Sequence, residues 1–202
     1  MNCAALVLCG GQSRRMGTPK EWLSIGNERM LQRIVRLVAT AAEPVAVVAA
    51  TGQSLPELPP AVAIHYDATK DRGPLEGLAT GLTALPPSVE FVFVIGADSP
   101  LLKPAWINRL VDLIGENDLA IPYVDGFHHP LAAVYRRATI LPAIERLMTT
   151  GRSALVDLVD AVRTRRVTAD ELRGVDPELA TLRNLNTPED YKAALADLGT
   201  QS

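Results

Sequence analysis

The chain has 202 residues, of which 48% are hydrophobic, and a formal net charge of −3. That length is typical of one domain, and such a chain buries roughly 70% of its unfolded surface without needing disulfides or a metal. The apolar fraction excludes intrinsic disorder, and the apolar runs are too short for a membrane span. The slightly acidic balance argues against nucleic-acid binding, so an anionic ligand would need a local cluster of cations.

The two cysteines, Cys3 and Cys9, are too few for a disulfide scaffold and are not spaced as zinc ligands. The N-terminal stretch lacks the basic segment of a signal peptide and reaches Gly10-Gly11 after a very short apolar run. We therefore predict a cytoplasmic protein.

Short apolar runs alternate with segments of helical period over the first 115 residues. The predicted strands are 4–8, 45–50, 62–66 and 90–95, and the predicted helices are 30–38, 75–85 and 104–114. Continuous apolar strands separated by helices are typical of a parallel sheet covered on both faces. The sequence predicts a Rossmann-like, three-layer α/β/α fold with a mostly parallel sheet.

The C-terminal half departs from this alternation. Two further strands, 119–124 and 131–135, flank a loop that contains the turn dipeptide Asp125-Gly126, and they predict an antiparallel insertion. Helices are predicted at 140–148, 154–162 and 187–198, the last with Thr187 to Asp190 as its N-terminal cap. Residues 1–202 are interpreted as a single domain.

Ligands of open α/β sheets bind beyond the carboxyl ends of the strands, which directs attention to loops 9–20, 67–74 and 96–100. The first loop has Gly10, Gly11 and Gly17 for close backbone approach, and Arg14, Arg15 and Lys20 as cations for phosphate. Its spacing is neither that of a P-loop nor that of the dinucleotide fingerprint, which disfavours a nicotinamide-dependent oxidoreductase.

Acidic residues end two of the predicted strands. Asp98 follows the strand 90–95 and is placed to hold Mg²⁺ against phosphate oxygens, although an Asx turn or a helix cap would use the same residue. Asp67 follows the strand 62–66 and is equally compatible with a turn. Gly73 and Gly77 flank a helix start that could face an anion or simply pack closely.

Five segments with recognisable motifs follow one another in order, nearly from end to end of the chain. The opening segment, Leu8–Lys20, has the form L-x-G-G-x-S-x-R-M-G-x-x-K. The others are Asp71–Gly77, with Gly-Pro-Leu-x-Gly; Ala97–Pro100; His129-Pro130-Leu131; and Asn184–Asp190, with Asn-x-Asn-Thr-Pro-Glu. In these segments the chain resembles the small-molecule nucleotidyltransferases, and among them most closely the molybdenum cofactor guanylyltransferases.

The resemblance implies transfer of GMP from GTP to the terminal phosphate of molybdopterin, with Mg²⁺ as cofactor and with molybdenum-insertion proteins or molybdoenzymes as partners. Residues 1–115 would bind the nucleotide and residues 116–202 the acceptor. The implied residues are Arg15, Lys20 and Asp98 for catalysis; Leu8, Cys9, Gly10, Gly11, Lys20, Asp67 and Asp98 for the nucleotide; Asp98 for the metal; and Gly77, His129, Asn184 and Asn186 for the acceptor.

Several alternatives stay open at this point. A cytidylyltransferase or a sugar-phosphate nucleotidyltransferase could use the same scaffold, and so could a nucleotide-binding module without catalysis. The family often has Asn near the end of the second strand, where this chain has Ala49-Ala50-Thr51, so guanine selectivity is in question. His128-His129 is a poor candidate for joint chelation, and the arginines at 163, 165 and 166 are interpreted as a solvated strand face.

Overall fold

The computed structural model describes residues 3–9, 19–67 and 73–199. The predicted loop residues Gly10, Gly11, Arg14, Arg15 and Gly17, and also Asp71, lie outside these ranges.

The described residues form ten strands and seven α-helices. The strands are β1 (Cys3–Cys9), β2 (Ser24–Ile25), β3 (Glu28–Arg29), β4 (Val45–Ala49), β5 (Ala63–Tyr66), β6 (Phe91–Gly96), β7 (Leu119–Val124), β8 (Phe127–His128), β9 (Ala132–Arg136) and β10 (Thr164–Thr168). The helices are α1 (Met30–Val38), α2 (Pro74–Ala84), α3 (Pro104–Ile114), α4 (Arg137–Thr149), α5 (Leu158–Ala161), α6 (Ala169–Arg173) and α7 (Pro188–Gly199).

The main sheet has the order β10-β7-β9-β6-β1-β4-β5, with β8 paired to β7. β1 lies parallel to both β4 and β6, and β4 lies parallel to β5. β9 runs antiparallel to β6 and β7, which confirms the predicted antiparallel insertion. Leu8 of β1 is in register with Val48 and Gly96, so three parallel strands end at one edge of the sheet.

Successive side chains of β1 point to opposite faces of the sheet, and each face is buried under helices. Ala5, Val7 and Cys9 face the core that α1 and α3 cover, whereas Ala4, Leu6 and Leu8 face the core beneath α2 and α4. This double burial explains why β1 reads as a continuous apolar run and confirms the three-layer α/β/α fold.

The elements with a clear period agree with the prediction, and α1 and α3 match it to the residue. The predicted helix 154–162 is wrong in its first part, because Leu155–Asp157 form a 3-10 turn before the four-residue α5. The helix α6, the strand β8 and the β2–β3 hairpin were not predicted, since elements of two to five residues are too short to show a period.

No helix in the described ranges is long and apolar enough to cross a membrane.

Candidate active site

Lys20 lies at the carboxyl edge of the sheet, on a 3-10 turn formed by residues 20–22. Its Nζ donates hydrogen bonds to Oδ2 of Asp98, 3.0 Å away, and to Oδ1 of Asn186, 2.8 Å away. The side chains of Lys20 and Asp98 are 18% and 22% exposed, so the pair is shielded yet reachable by a ligand. The structure thus brings together three predicted site residues that are 78 and 166 positions apart in sequence.

The backbone around Asp98 is fixed by contacts from two other parts of the chain. The N–H of Ala97 donates to the carbonyl of Leu8, 3.0 Å away, and the N–H of Leu185 donates to the carbonyl of Asp98, 2.9 Å away. Gly96 leaves room for the carboxylate, because a Cβ there would lie 2.6 Å from Oδ1 of Asp98. Asp98 is therefore held at the strand end with its carboxylate folded back over Gly96.

The segment Asn184-Leu185-Asn186 lies beside this loop. Leu185 is buried in the core, whereas Asn184 and Asn186 on either side of it are exposed, as expected when neighbouring side chains point in opposite directions. The hydroxyl of the buried Ser99 donates to Oδ1 of Asn184, 2.8 Å away. Both asparagines therefore lie against the Asp98 loop.

The oxygen atoms around Lys20 suit a magnesium ion. Oδ2 of Asp98 and Oδ1 of Asn186 already share one cation, the Lys20 ammonium, and carboxylate and amide oxygens are ligands that Mg²⁺ accepts. Within the described ranges, no three His, Cys, Asp or Glu side chains cluster as metal ligands. A site with so few protein ligands fits Mg²⁺, which is usually bound through one or two carboxylates together with substrate phosphates.

Asp67 ends β5 and turns its side chain towards α2. Its N–H donates to the carbonyl of Ala49, 2.9 Å away, and a Cβ on Gly77 would lie 3.6 Å from its Oδ1. Among the residues that the structure describes, none donates a hydrogen bond to that buried Oδ1 or to the buried Oε2 of Glu76. Burial, followed by the charge of Glu76, raises the pKa of Asp67, and a hydrogen bond with Thr80 opposes the shift. Asp67 thus presents an acceptor without a donor beside Gly77.

The N–H groups in the first turn of α2 donate to other groups of the protein. Gly73 has a φ of +85° and sits against Ser153, whose carbonyl accepts the N–H of Leu75 at 3.2 Å. Pro74 has no N–H, and the N–H of Glu76 donates to the carbonyl of Gly73. These contacts favour the close-packing alternative for this helix start over an anion site.

His129 precedes β9, and its N–H donates to the carbonyl of Pro122, 3.0 Å away. Its Nε2 is buried and has no hydrogen-bond partner in the described part of the chain, and burial lowers the pKa of the ring, so His129 is neutral at neutral pH. Leu131, two residues on, reaches to 3.5 Å from where a Cβ on Gly96 would lie, which ties this segment to the Asp98 loop.

The neighbouring His128 faces elsewhere. Its ring stacks on Tyr123 with centroids 4.8 Å apart, and its Nε2 accepts a hydrogen bond from Arg166, 3.0 Å away. Each of the three arginines at the C-terminal sheet edge contacts an acid: Arg163 with Asp118, Arg165 with Glu171, and Arg166 with Asp160.

A pair of polar residues next to Lys20, Glu21 and Gln53, was not predicted from the sequence. Glu21 is 6% exposed, and its Oε1 accepts a hydrogen bond from Nε2 of Gln53 at 2.6 Å, while Oε1 of Gln53 accepts the N–H of Ala50 at 3.0 Å. These contacts fasten the Lys20 turn to the loop after β4, where the family often has Asn. A Glu after a lysine and a Gln in a loop carry no local signal of such a contact.

Cys9 lies at the end of β1, close to both Glu21 and Asp98. Burial, together with the charges of these two residues, raises the pKa of its thiol. Cys9 is therefore protonated at neutral pH and is no nucleophile.

Comparison with known proteins assigns the chain to a family. The MobA-like NTP transferase domain matches residues 5–167, which is most of the chain. The chain belongs to the MobA-like NTP transferase family. As a member of this family, it is a nucleotidyltransferase.

Curated relatives match over nearly the full length. The "Probable molybdenum cofactor guanylyltransferase" of Mycobacterium avium is 35% identical over 198 residues, covering 96% of this chain and 95% of its own. The "Molybdenum cofactor guanylyltransferase" of Desulfosudis oleivorans is 31% identical, covering 95% and 93%. Among solved structures, molybdopterin-guanine dinucleotide biosynthesis protein A from Archaeoglobus fulgidus has a TM-score of 0.79 at 21% identity, covering 98% and 99%. At that identity the last match supports the fold.

Proposed function

We propose that this nucleotidyltransferase moves GMP from GTP to the terminal phosphate of molybdopterin, with release of pyrophosphate and with Mg²⁺ as cofactor. The observation that carries the proposal is the convergence of Lys20, Asp98 and Asn186 at the carboxyl edge of three parallel strands. A cation beside two oxygen ligands suits nucleotidyl transfer, which depends on positioning and charge neutralisation. The full-length relatives named as guanylyltransferases support the choice of substrates.

Each protein group has a role that follows from its chemistry. Oδ2 of Asp98 and Oδ1 of Asn186 would hold Mg²⁺, which supplies Lewis acidity and a template for the phosphate oxygens when bound. Lys20, together with Arg15 of the first loop, would offset charge on the α-phosphate and on the departing pyrophosphate. The attacking acceptor phosphate is already ionised, so the reaction needs no strong general base.

The remaining predicted residues complete the two substrate sites. The backbone of Leu8, Cys9, Gly10 and Gly11 would bind the nucleotide, and the unpaired Oδ1 of Asp67 would accept a hydrogen bond from one of its donor groups. Gly77, His129, Asn184 and Asn186 would contact the molybdopterin, with His129 contributing its unpaired Nε2. Molybdenum-insertion proteins or molybdoenzymes would receive the product.

The test is pyrophosphate release with GTP, CTP, ATP or UTP, each with and without molybdopterin. We expect release with GTP that depends on both molybdopterin and Mg²⁺. Preference for CTP would point to a cytidylyltransferase. This alternative is relevant because the chain has Ala49-Ala50-Thr51 where the family often has Asn. Dependence on a sugar phosphate would reassign the acceptor, and release with none of the four nucleotides would contradict the proposal.

Binding can be measured independently of turnover. A ligand that binds only the folded state raises its stability by mass action. We expect GTP with Mg²⁺ to raise the melting temperature more than CTP with Mg²⁺ at equal concentration. Equal shifts for both nucleotides would contradict guanine selectivity, and a shift without catalysis would indicate a nucleotide-binding module.

A further inference from the structure

The loop that follows β6 carries Asp98 and is held by hydrogen bonds from other parts of the chain. The carbonyl of Asp98 accepts the N–H of Leu185, and the N–H of Lys103 donates to Oγ1 of Thr181, 3.1 Å away. Between these two points, the carbonyl of Pro100 accepts a hydrogen bond from Nε of Arg33 at 2.8 Å. This third contact comes from α1, which precedes the loop in sequence, whereas Thr181 and Leu185 follow it.

The side chain of Arg33 is held in this position by a second contact. Its side chain is 18% exposed, and its Nη1 donates to Oε1 of Glu28, 3.1 Å away. Hydrogen bonds from Arg36 and then from Arg33 lower the pKa of Glu28, so this carboxylate is ionised at neutral pH. The guanidinium therefore donates through Nη1 to Glu28 and through Nε to the carbonyl of Pro100. The planar arrangement of its donors allows both hydrogen bonds at once.

A shift of Pro100 would be passed on to Asp98. The two residues are separated only by Ser99, which is 2% exposed and bonded to Asn184, and the proline ring restricts the backbone further. Hydrogen bonds from a charged donor are stronger than neutral ones, particularly where water is partly excluded. The charged donor of Arg33 thus fixes the backbone position from which the Asp98 carboxylate projects.

We propose that Arg33 is a positioning residue for the reaction: through the carbonyl of Pro100 it sets the place of the Asp98 carboxylate and hence the affinity of the site for a divalent cation. The inference rests on the proposed function, because it takes Asp98 as a metal ligand. Arg33 itself touches neither substrate nor metal. Groups that orient a metal ligand from behind commonly change metal affinity by about 10–100-fold when removed.

Arg36 provides a matched control. It lies one turn further along α1 and contacts the same carboxylate through two hydrogen bonds, at 2.7 and 3.0 Å to Glu28. Its side chain is 55% exposed, and within the described residues all of its side-chain hydrogen bonds are with Glu28. Loss of Arg36 therefore disturbs the ion pair, whereas loss of Arg33 disturbs both the ion pair and the Asp98 loop.

The experiment is a titration of the full chain with Mn²⁺, followed by water-proton relaxation, in the presence of a saturating GTP analogue with a methylene bridge between the α- and β-phosphates. We expect Arg33→Met to raise the Mn²⁺ concentration at half-saturation by about tenfold, the lower end of that range. Arg36→Met should stay within about twofold of the native chain. Thermal melts of both variants report whether the fold is retained.

The outcomes separate the two proposals. If the native chain gives no enhancement of water-proton relaxation beyond that of Mn²⁺ and the analogue without protein, the metal assignment of Asp98 in the proposed function is wrong. If the native chain binds Mn²⁺ and Arg33→Met binds it equally well, or if Arg36→Met weakens it as much, the positioning role is overturned.

Should Arg33→Met fail to fold, Arg33→Lys tests the same point. Lysine keeps the charge beside Glu28 but lacks the fork that serves Glu28 and Pro100 together. We expect about threefold weaker Mn²⁺ binding in this variant, and unchanged binding would overturn the proposal.

Discussion

At the scale of single residues, the site depends on a few side chains whose neighbours define their chemistry. Lys20 is a cation held by two oxygen atoms, and Asp67 is a half-buried carboxylate with an unpaired oxygen. Gly96 and Gly77 matter because they leave space beside Asp98 and Asp67 respectively. Each of these features predicts a measurable effect of substitution.

Replacing Lys20 by Ala removes the cation that would offset phosphate charge. We expect turnover to fall by orders of magnitude while the melting temperature changes little, because the side chain is not part of the core. Pyrophosphate release and a thermal melt measure the two effects. Lys192→Ala, an exposed lysine of α7, is the control. Near-normal turnover would remove Lys20 from the assigned role.

Replacing Asp67 by Asn should separate stability from function. Because its pKa is raised in the folded state, Asp67 contributes most to stability at low pH, and this contribution is lost as the pH rises through the folded pKa. We expect the free energy of unfolding of Asp67→Asn, relative to the native chain, to increase from pH 4 to pH 8, while nucleotide affinity falls.

Urea titrations across this pH range measure the stability effect. Asp112→Asn removes one negative charge at an exposed position and serves as the control. A difference between Asp67→Asn and the native chain that does not change with pH would contradict the argument.

At the scale of elements, the position of α2 on the sheet is set by a glycine. A Cβ on Gly81 would lie 2.6 and 2.9 Å from the two methyl carbons of Leu6 and 3.1 Å from a methyl carbon of Val48. With any residue other than glycine at position 81, the side chains of Leu6 and Val48 or α2 itself would have to move. The same helix carries Gly77 beside Asp67, so the distance between α2 and the sheet affects the geometry of the site.

Gly81→Ala should accordingly destabilise the fold. Overpacking a core costs about 1–3 kcal/mol. Over most of this range the cost exceeds the gain of about 1 kcal/mol that alanine brings when it replaces glycine in a helix interior. Urea denaturation should show a lower midpoint. Gly174→Ala, where a Cβ would meet nothing within 4 Å, is the control and should be close to neutral. A neutral or stabilising Gly81→Ala would show that α2 can move outwards without cost.

At the scale of the whole molecule, the site is assembled from both ends of the chain. Lys20 follows the first loop, whereas Asn184, Leu185 and Asn186 come just before α7. Asp190 accepts the N–H groups of Asn186 and Thr187 at 2.9 and 2.8 Å, so the start of α7 holds the asparagine segment in place. The nucleotidyltransferase site therefore requires the complete sheet with α7 docked beside it.

Asn186→Ala tests this connection between the two ends of the chain. A hydrogen bond to a charged group contributes about 1.5–3 kcal/mol, so we expect turnover to fall by roughly tenfold or more with a small change in melting temperature. Asn117→Ala is the control, because the side-chain amide of Asn117 bonds, among the described residues, only to the carbonyl of Ile114. Unchanged turnover in Asn186→Ala would contradict a functional role for this contact.

Much of the fold could be predicted because burial leaves a local pattern. Residues 30–38 repeat apolar side chains at helical spacing, and residues 4–8 are apolar on both faces of a strand. The Thr187–Asp190 cap was also predicted, and its reciprocal hydrogen bonds, at 2.8 and 3.1 Å, are present. Partners distant in sequence leave no such pattern: the period of residues 30–38 does not indicate that Arg33 is bonded to the Asp98 loop.

The sequence by itself determined the order of the longer strands and helices, the strand ends that carry Asp67 and Asp98, and the family motifs, because each depends on residues that are close along the chain. Only the tertiary structure decided that Lys20 meets Asp98 and Asn186, that Ser153 closes the start of α2, and that Glu21 is bonded to Gln53. The physical reason is that polar contacts between distant segments are fixed by how the layers pack, and packing is a property of the whole chain.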